Sequence, residues 1–189
     1  MSVIICPGIH DPDLTQEFLK DLEWQGADFL IFPVEKYPAY SAIDILNFLR
    51  CRRSLEPPIV FISFSAGAVG AIGACWGWQL LGGTVKAFIA LDAWGVPLCG
   101  NFPIYRLSHD YFTHWSSALL GAGVESFYAD PPVEHLDLWR SPTTAQGWWV
   151  RTESEGNGDP RSPVTAAVFL RHLLQRYGEG VSAGVKNNG

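Results

Sequence analysis

The stretch from Ile59 to Ala68 constrains the fold of this chain more than any other part of the sequence. It begins as an apolar, β-branched run directly after Pro57-Pro58. Small residues surround Ser65, and from Ala66 onward the sequence has the pattern of a helix rich in glycine and alanine. Short apolar runs bounded by proline are typical of buried strands. We therefore predict a strand, a sharp turn with Ser65 at its apex, and a helix.

Strand-like and helix-like segments alternate along the rest of the chain. The other predicted strands are Val3–Cys6, Asp28–Pro33, Val85–Leu91, Ile104–Leu107 and Val124–Tyr128. The last helix is predicted to begin at Ser162-Pro163 and to end at Gly178, and Trp148–Val150 could form a short strand. Such alternation predicts an α/β fold, with a parallel sheet of about six strands and helices on both faces. We expect one domain over residues 1–178 and a flexible tail over 179–189.

Polar residues follow the ends of the predicted strands. They are His10, Ser65, Asp92, Asp110 and His135. In open parallel sheets, ligands bind outside the carboxyl ends of the strands. The sequence therefore predicts a functional site at that edge of the sheet.

The segment Ser63-Phe64-Ser65-Ala66-Gly67 resembles the nucleophile elbow of the α/β-hydrolases. That elbow usually reads G-x-S-x-G, and here Ser63 stands in place of the first glycine. By fold pattern the resemblance covers roughly residues 3–140 and is nearest to the small, lid-poor serine hydrolases. It implies an α/β-hydrolase fold and Ser65 as the nucleophile. It also implies a catalytic triad in which serine, acid and histidine follow one another along the chain.

The resemblance implies that His135 is the general base. Of the five histidines, His135 follows the last strong strand, where the family places its base. His10 precedes the serine and so breaks the family's order, whereas His172 lies inside the last helix. Histidine suits the role because its ordinary pKa is about 6.5.

Two aspartates are candidates for the acid of the triad. The segment from Ile104 to Asp110 resembles the family's strand-x-Gly-x-Asp segment, with Ser108 in place of glycine. We favour Asp110 for this reason. Asp92, one strand earlier, is the alternative, because some members of the family place the acid there. If Asp110 is the acid, Asp92 would line the substrate pocket or anchor the loop from Val96 to Pro103.

The resemblance also implies the oxyanion hole and the surroundings of the substrate. In this family the hole uses the N–H after the nucleophile and one from the loop after an early strand. Here these are the N–H groups of Ala66 and Ile9. The predicted pocket residues are His10, Phe64, Asp92 and Trp94. An aromatic pocket favours a small, apolar substrate.

The function that follows is two-step acyl transfer on an ester or thioester, without a metal or an organic cofactor. Transfer of the acyl group to an acceptor other than water would use the same residues. An inactive α/β-hydrolase fold that binds a small molecule or a protein is the alternative from another class. A dinucleotide-binding protein is disfavoured because no strand is followed by G-x-G-x-x-G.

Composition excludes several other classes of function. A net charge of −6 and the lack of a basic cluster disfavour nucleic-acid binding. No run approaches the roughly 20 apolar residues of a membrane helix, and the N-terminus lacks the pattern of a signal peptide. We therefore expect a cytoplasmic protein that acts on a small molecule. The four cysteines, Cys6, Cys51, Cys75 and Cys99, have no paired spacing and are predicted to be buried thiols.

Overall fold

The computed structural model describes residues 2–23, 28–151 and 160–178. The strands are β1 (Ser2–Cys6), β2 (Asp28–Ile31), β3 (Ile59–Phe64), β4 (Val85–Leu91), β5 (Ile104–Ser108), β6 (Glu125–Ala129), β7 (Gln146–Arg151) and β8 (Arg161–Thr165). The helices are α1 (Pro12–Leu22), α2 (Ala42–Arg50), α3 (Ala66–Leu80), α4 (Tyr111–Ala118), α5 (His135–Arg140) and α6 (Ala166–Gly178). The tail predicted over 179–189 lies outside the described residues.

The strands form one sheet in the order β2-β1-β3-β4-β5-β6-β7-β8. The first six strands are mutually parallel, and β7 and β8 are added antiparallel at one edge. The predicted α/β class is therefore confirmed. The described sheet has eight strands instead of about six, because the last two were not both recognised from sequence.

The start of the last helix is the main error in the predicted elements. Residues from Ser162 to Val164 belong to β8, and α6 begins only at Ala166. Pro163 lies opposite Trp148 of β7, on the outermost strand of the sheet. Proline is tolerated on an edge strand because the missing N–H interrupts no ladder on the open side. A Ser-Pro pair therefore does not by itself identify a helix start.

Helices cover both faces of the sheet, as predicted. Val60, Ile62 and Phe64 of β3 point into a core packed against α1, α5 and α6. The alternate residues Ile59 and Phe61 point into a second core packed against α2 and α3. Side chains of a strand alternate between the two faces, so a strand that is buried on both reads as a continuous apolar run.

Among the described helices, none combines the length and apolar character that a membrane span needs. All four cysteines carry free thiols. Cys6 and Cys75 are buried, and burial raises the pKa of both thiols. Cys51 and Cys99 are exposed, so the prediction of buried thiols is wrong for these two.

Candidate active site

Ser65 lies at the apex of the turn between β3 and α3. Its φ and ψ angles are 51° and −124°, a conformation that non-glycine residues rarely adopt. Its N–H donates to the carbonyl oxygen of Leu91 at 2.9 Å, which ties the turn to the end of β4. Ser63 fills the place of the usual glycine and donates its hydroxyl to the carbonyl oxygen of Ile89 at 3.3 Å. The strand, turn and helix predicted around Ser65 are all present.

Asp92 follows β4 directly and is nearly inaccessible to solvent. Its φ is 49°, and its N–H donates to the carbonyl oxygen of Leu107 at 2.8 Å. The side chain is 1% exposed, and Oδ2 accepts a hydrogen bond from Nδ1 of His135 at 2.8 Å. His135, the first residue of α5, is therefore oriented by a carboxylate that follows β4, two strands away from β6 in the sheet.

The predicted pairing of Asp110 with His135 is wrong. The carboxylate of Asp110 caps helix α4 and accepts a hydrogen bond from the N–H of Thr113 at 2.7 Å. Asp110 thus takes the common role of a helix N-cap, which satisfies one of the donors that a helix leaves unpaired. The acid beside His135 is Asp92, the alternative that the sequence left open.

Sequence reasoning missed His109. Its Nδ1 lies 2.9 Å from Oδ2 of Asp92, and its backbone N–H donates to Oδ1 of Asp92 at 2.9 Å. Two imidazoles therefore meet on one carboxylate oxygen. The sequence did contain a signal, since His109 follows β5 at the carboxyl edge of the sheet, but its neighbour Asp110 matched the expected motif instead.

The hydrogen bonds at Asp92 determine the protonation states of the cluster. Burial opposes ionisation of Asp92, but the hydrogen bonds from His109 and His135 outweigh it and leave the carboxyl pKa below its ordinary value. The hydrogen bond to Asp92 raises the pKa of His109 above its ordinary value, against the effect of burial. A carboxylate only accepts hydrogen bonds, so both imidazoles donate from Nδ1. Nε2 of a neutral His135 is then the nitrogen that can accept a proton.

A cavity of about 390 Å³ opens between the ends of β3, β4 and β5. Its polar lining comes from Ser65, Asp92, Thr113 and the two histidines, and its apolar lining from Val69, Trp94, Val96 and Phe112. The structure therefore brings Ser65, His135 and Asp92 into the wall of one cavity, together with the predicted pocket residue Trp94.

Two predicted pocket residues lie elsewhere. Phe64 is buried in the core, and its ring stacks on that of His135 with 4.6 Å between centroids. It therefore supports His135 from behind and does not line the cavity. His10 lines a neighbouring cavity of about 370 Å³ together with Ile9, and its ring centroid lies 5.6 Å from that of Phe64.

The predicted oxyanion donors are the N–H groups of Ala66, next to Ser65 in the chain, and of Ile9, in the loop after β1. Ala66 is the first residue of α3 and lines the cavity with Ser65. Its N–H is one of the groups that a helix N-terminus leaves without an intrahelical partner. A Cβ on Gly8 would lie 3.1 Å from Cβ of Ser65, so glycine brings the loop before Ile9 close to the turn. The roles of the Ala66 and Ile9 N–H groups stay predictions.

Asp92, His109 and His135 are also the described residues that could together hold a metal ion. One ligand atom from each lies within 4.8 Å of the others. However, both Nδ1 atoms already point at Oδ2 of Asp92. A cation there would compete with these hydrogen bonds for the same atoms.

No protein-family model and no curated protein matches the chain. A search of solved structures finds the type II thioesterase YbtT, from a yersiniabactin NRPS/PKS biosynthetic pathway. The two chains are 12% identical, with a TM-score of 0.43, over 96% of this chain and 91% of the other. A likeness this distant supports no statement about activity or substrate.

Proposed function

We propose that this chain is a serine hydrolase that cleaves an ester or thioester bond of a small, largely apolar molecule. Ser65 is the nucleophile, His135 the general base and Asp92 the acid that orients the base. The observation that carries the proposal is the hydrogen bond from Nδ1 of His135 to the buried carboxylate of Asp92, beside a serine in a strained turn. Base and acid partner of this kind activate a serine that is otherwise a weak nucleophile.

The reaction proceeds in two steps. Oγ of Ser65 attacks the carbonyl carbon while its proton passes to Nε2 of His135. The bond to the leaving group then breaks, and His135 returns the proton to the departing oxygen or sulfur. In the second step His135 takes a proton from water, which attacks the acyl-enzyme and releases the acid, and the proton returns to Ser65. The negative charge of Asp92 stabilises the imidazolium in both steps.

The lining of the cavity supports the substrate class. Val69, Trp94, Val96 and Phe112 provide apolar walls beside Ser65. A cavity of about 390 Å³ suits a small acyl group. The position of Trp94 is fixed by a hydrogen bond from its Nε1 to the hydroxyl of Ser116 on α4, at 3.2 Å.

The test is labelling of the protein with a fluorophosphonate, which reacts with activated serines, followed by location of the modified peptide by mass spectrometry. We expect labelling of wild type at Ser65 and none in Ser65→Ala. Asp92→Asn should slow labelling by about 10³–10⁴, because the amide no longer holds the correct tautomer of His135. Asp110→Asn is the matched control, and it should retain labelling within about threefold because an asparagine also caps helices.

Equal losses in Asp92→Asn and Asp110→Asn would contradict the assignment of the acid. Absence of labelling in folded wild-type protein would contradict the proposed hydrolase. It would favour the binding protein with an inactive α/β-hydrolase fold.

A further inference from the structure

We propose that His109 is a positioning residue that holds the carboxylate of Asp92 against His135, so that the site is a four-residue network and not a triad alone. The inference rests on the proposed function. It assigns a role to a second imidazole that the two-step mechanism does not use.

Most of the hydrogen bonding of Asp92 comes from His109. The buried carboxylate accepts three hydrogen bonds, one from His135 and two from the ring and the backbone N–H of His109. A buried carboxylate needs several donors to remain ionised. The two bonds from His109 reach different oxygens, Oδ1 and Oδ2, and thereby fix the rotation of the carboxylate as well as its charge.

The backbone of His109 also holds the segment that carries His135. Its carbonyl oxygen accepts a hydrogen bond from the N–H of Val133 at 3.0 Å, two residues before His135. His109 therefore contacts the acid through its ring and N–H, and the loop of the base through its carbonyl. Asp92 and His135 come from different strand ends, and His109 connects them.

Asp110 lies outside the network, on the far side of His109. Its Oδ2 lies 3.8 Å from Nε2 of His109, and its Oδ1 is fixed by the N-cap of α4. The charged or titratable groups that face the His109 ring are thus Asp92, Asp110, Glu134 and His135. Three of these are acidic, so they favour a positive charge on the His109 ring.

Two variants test the hydrogen bond from the His109 ring to Asp92. His109→Asn retains a neutral donor near the position of Nδ1, whereas His109→Leu has no donor, and both retain the backbone bonds to Asp92 and Val133. The measured quantities are kcat and KM for p-nitrophenyl acetate between pH 5 and pH 9. We expect His109→Leu to lower kcat by about 10–100-fold with KM within about twofold, because a positioning residue acts in the transition state.

We expect His109→Asn to recover part of that loss in kcat. Equal losses of kcat in the two variants would overturn the proposal, since a merely structural role predicts that result.

A measurement that needs no activity separates this inference from the proposed function. Proton NMR of the wild type should show two downfield imidazole N–H signals, one for each histidine bound to Asp92. His109→Asn should lose one of these signals, and Asp92→Asn should lose both. A single downfield signal in wild type would overturn the network. Two signals without labelling of Ser65 would retain it and contradict the hydrolase instead.

Discussion

The lack of a Cβ on Gly67 allows the turn that carries Ser65 to lie close to β1. A Cβ on Gly67 would lie 2.3 Å from the carbonyl oxygens of both Cys6 and Pro7. These are backbone atoms of β1 and the loop after it, so they cannot move aside without moving the sheet. We expect Gly67→Ala to lower the free energy of unfolding by about 2–4 kcal/mol, as strain from overpacking does. It should also slow labelling of Ser65.

Gly77 is the matched control in the same helix. A Cβ there would meet only the flexible side chain of Leu46, with Cδ2 nearest at 2.7 Å. Gly77→Ala should be within about 1 kcal/mol of wild type, because the gain in helix propensity offsets the small clash. Urea denaturation of both variants measures the difference. Similar stabilities for the two would contradict the importance of the close approach at Gly67.

The carboxylate beside His135 also shows where prediction from sequence fails for single residues. The turn at Ser65 was predicted because its signal is local: a strand, small residues and a helix in succession. His135 was chosen by chain order, and the structure places it beside Asp92. Asp92 and Asp110 both follow a strand at the correct edge, and only the direction of their side chains distinguishes them. That direction depends on the left-handed φ of Asp92 and on the N-cap that Asp110 forms, which no spacing in the sequence reveals.

Among the helices, α4 is held in place by the buried side chain of Arg106. Arg106 of β5 is 3% exposed and donates to the carbonyl oxygens of Ala122 and His114 and to the hydroxyl of Ser117. The bonds to His114 and Ser117 connect α4 to β5. Nδ1 of His114 is buried without a hydrogen-bond partner among the described residues.

His114 should make the stability of the chain sensitive to acid. Burial, and then the charge of Arg106, lowers its pKa to about 4 from the ordinary 6.5. As the pH falls from 6.5 towards 4, the unfolded chain binds a proton that the folded chain does not, so the free energy of unfolding falls. The ring is partly exposed, so solvent screening reduces this term to about 1–2 kcal/mol.

The test compares wild type with His114→Phe, which retains the ring that packs on Tyr128 at 4.9 Å between centroids. The free energy of unfolding, measured by urea denaturation at pH values from 4 to 8, should fall less steeply towards acid pH in the variant. Above pH 7 the two curves should run parallel, because His114 is neutral in both the folded and the unfolded wild type. Parallel curves over the whole range would contradict the lowered pKa.

Strands were predicted well where the sequence has a continuous apolar run and poorly where it does not. The strand Val85–Leu91 has the bounds that the sequence predicted, since it is apolar on both faces. The last two strands lack this signal. β8 carries Arg161, Ser162 and Pro163, and it is a strand only because β7 provides an edge with which it pairs.

In the molecule as a whole, the cavity beside Ser65 and the hydrogen bonds of Glu125 lie at opposite ends of the strands. The cavity with Ser65 lies at the carboxyl ends of the parallel strands, whereas Glu125 lies at the beginning of β6. Glu125 accepts hydrogen bonds from Nε1 of Trp149 at 2.6 Å and from Arg176 at 2.7 Å. One carboxylate therefore connects β6, β7 and α6.

Glu125→Ala should consequently affect stability and not activity. The loss of two hydrogen bonds from a mostly buried carboxylate should lower the free energy of unfolding by about 1–3 kcal/mol, since the indole and guanidinium donors lose their partner. The rate of Ser65 labelling, measured about 20 °C below the melting temperature, should stay within about twofold of wild type. Glu56→Ala, which removes the same charge from an exposed position, should change neither quantity. A labelling rate that falls in step with stability in Glu125→Ala would show that the two ends of the sheet are coupled.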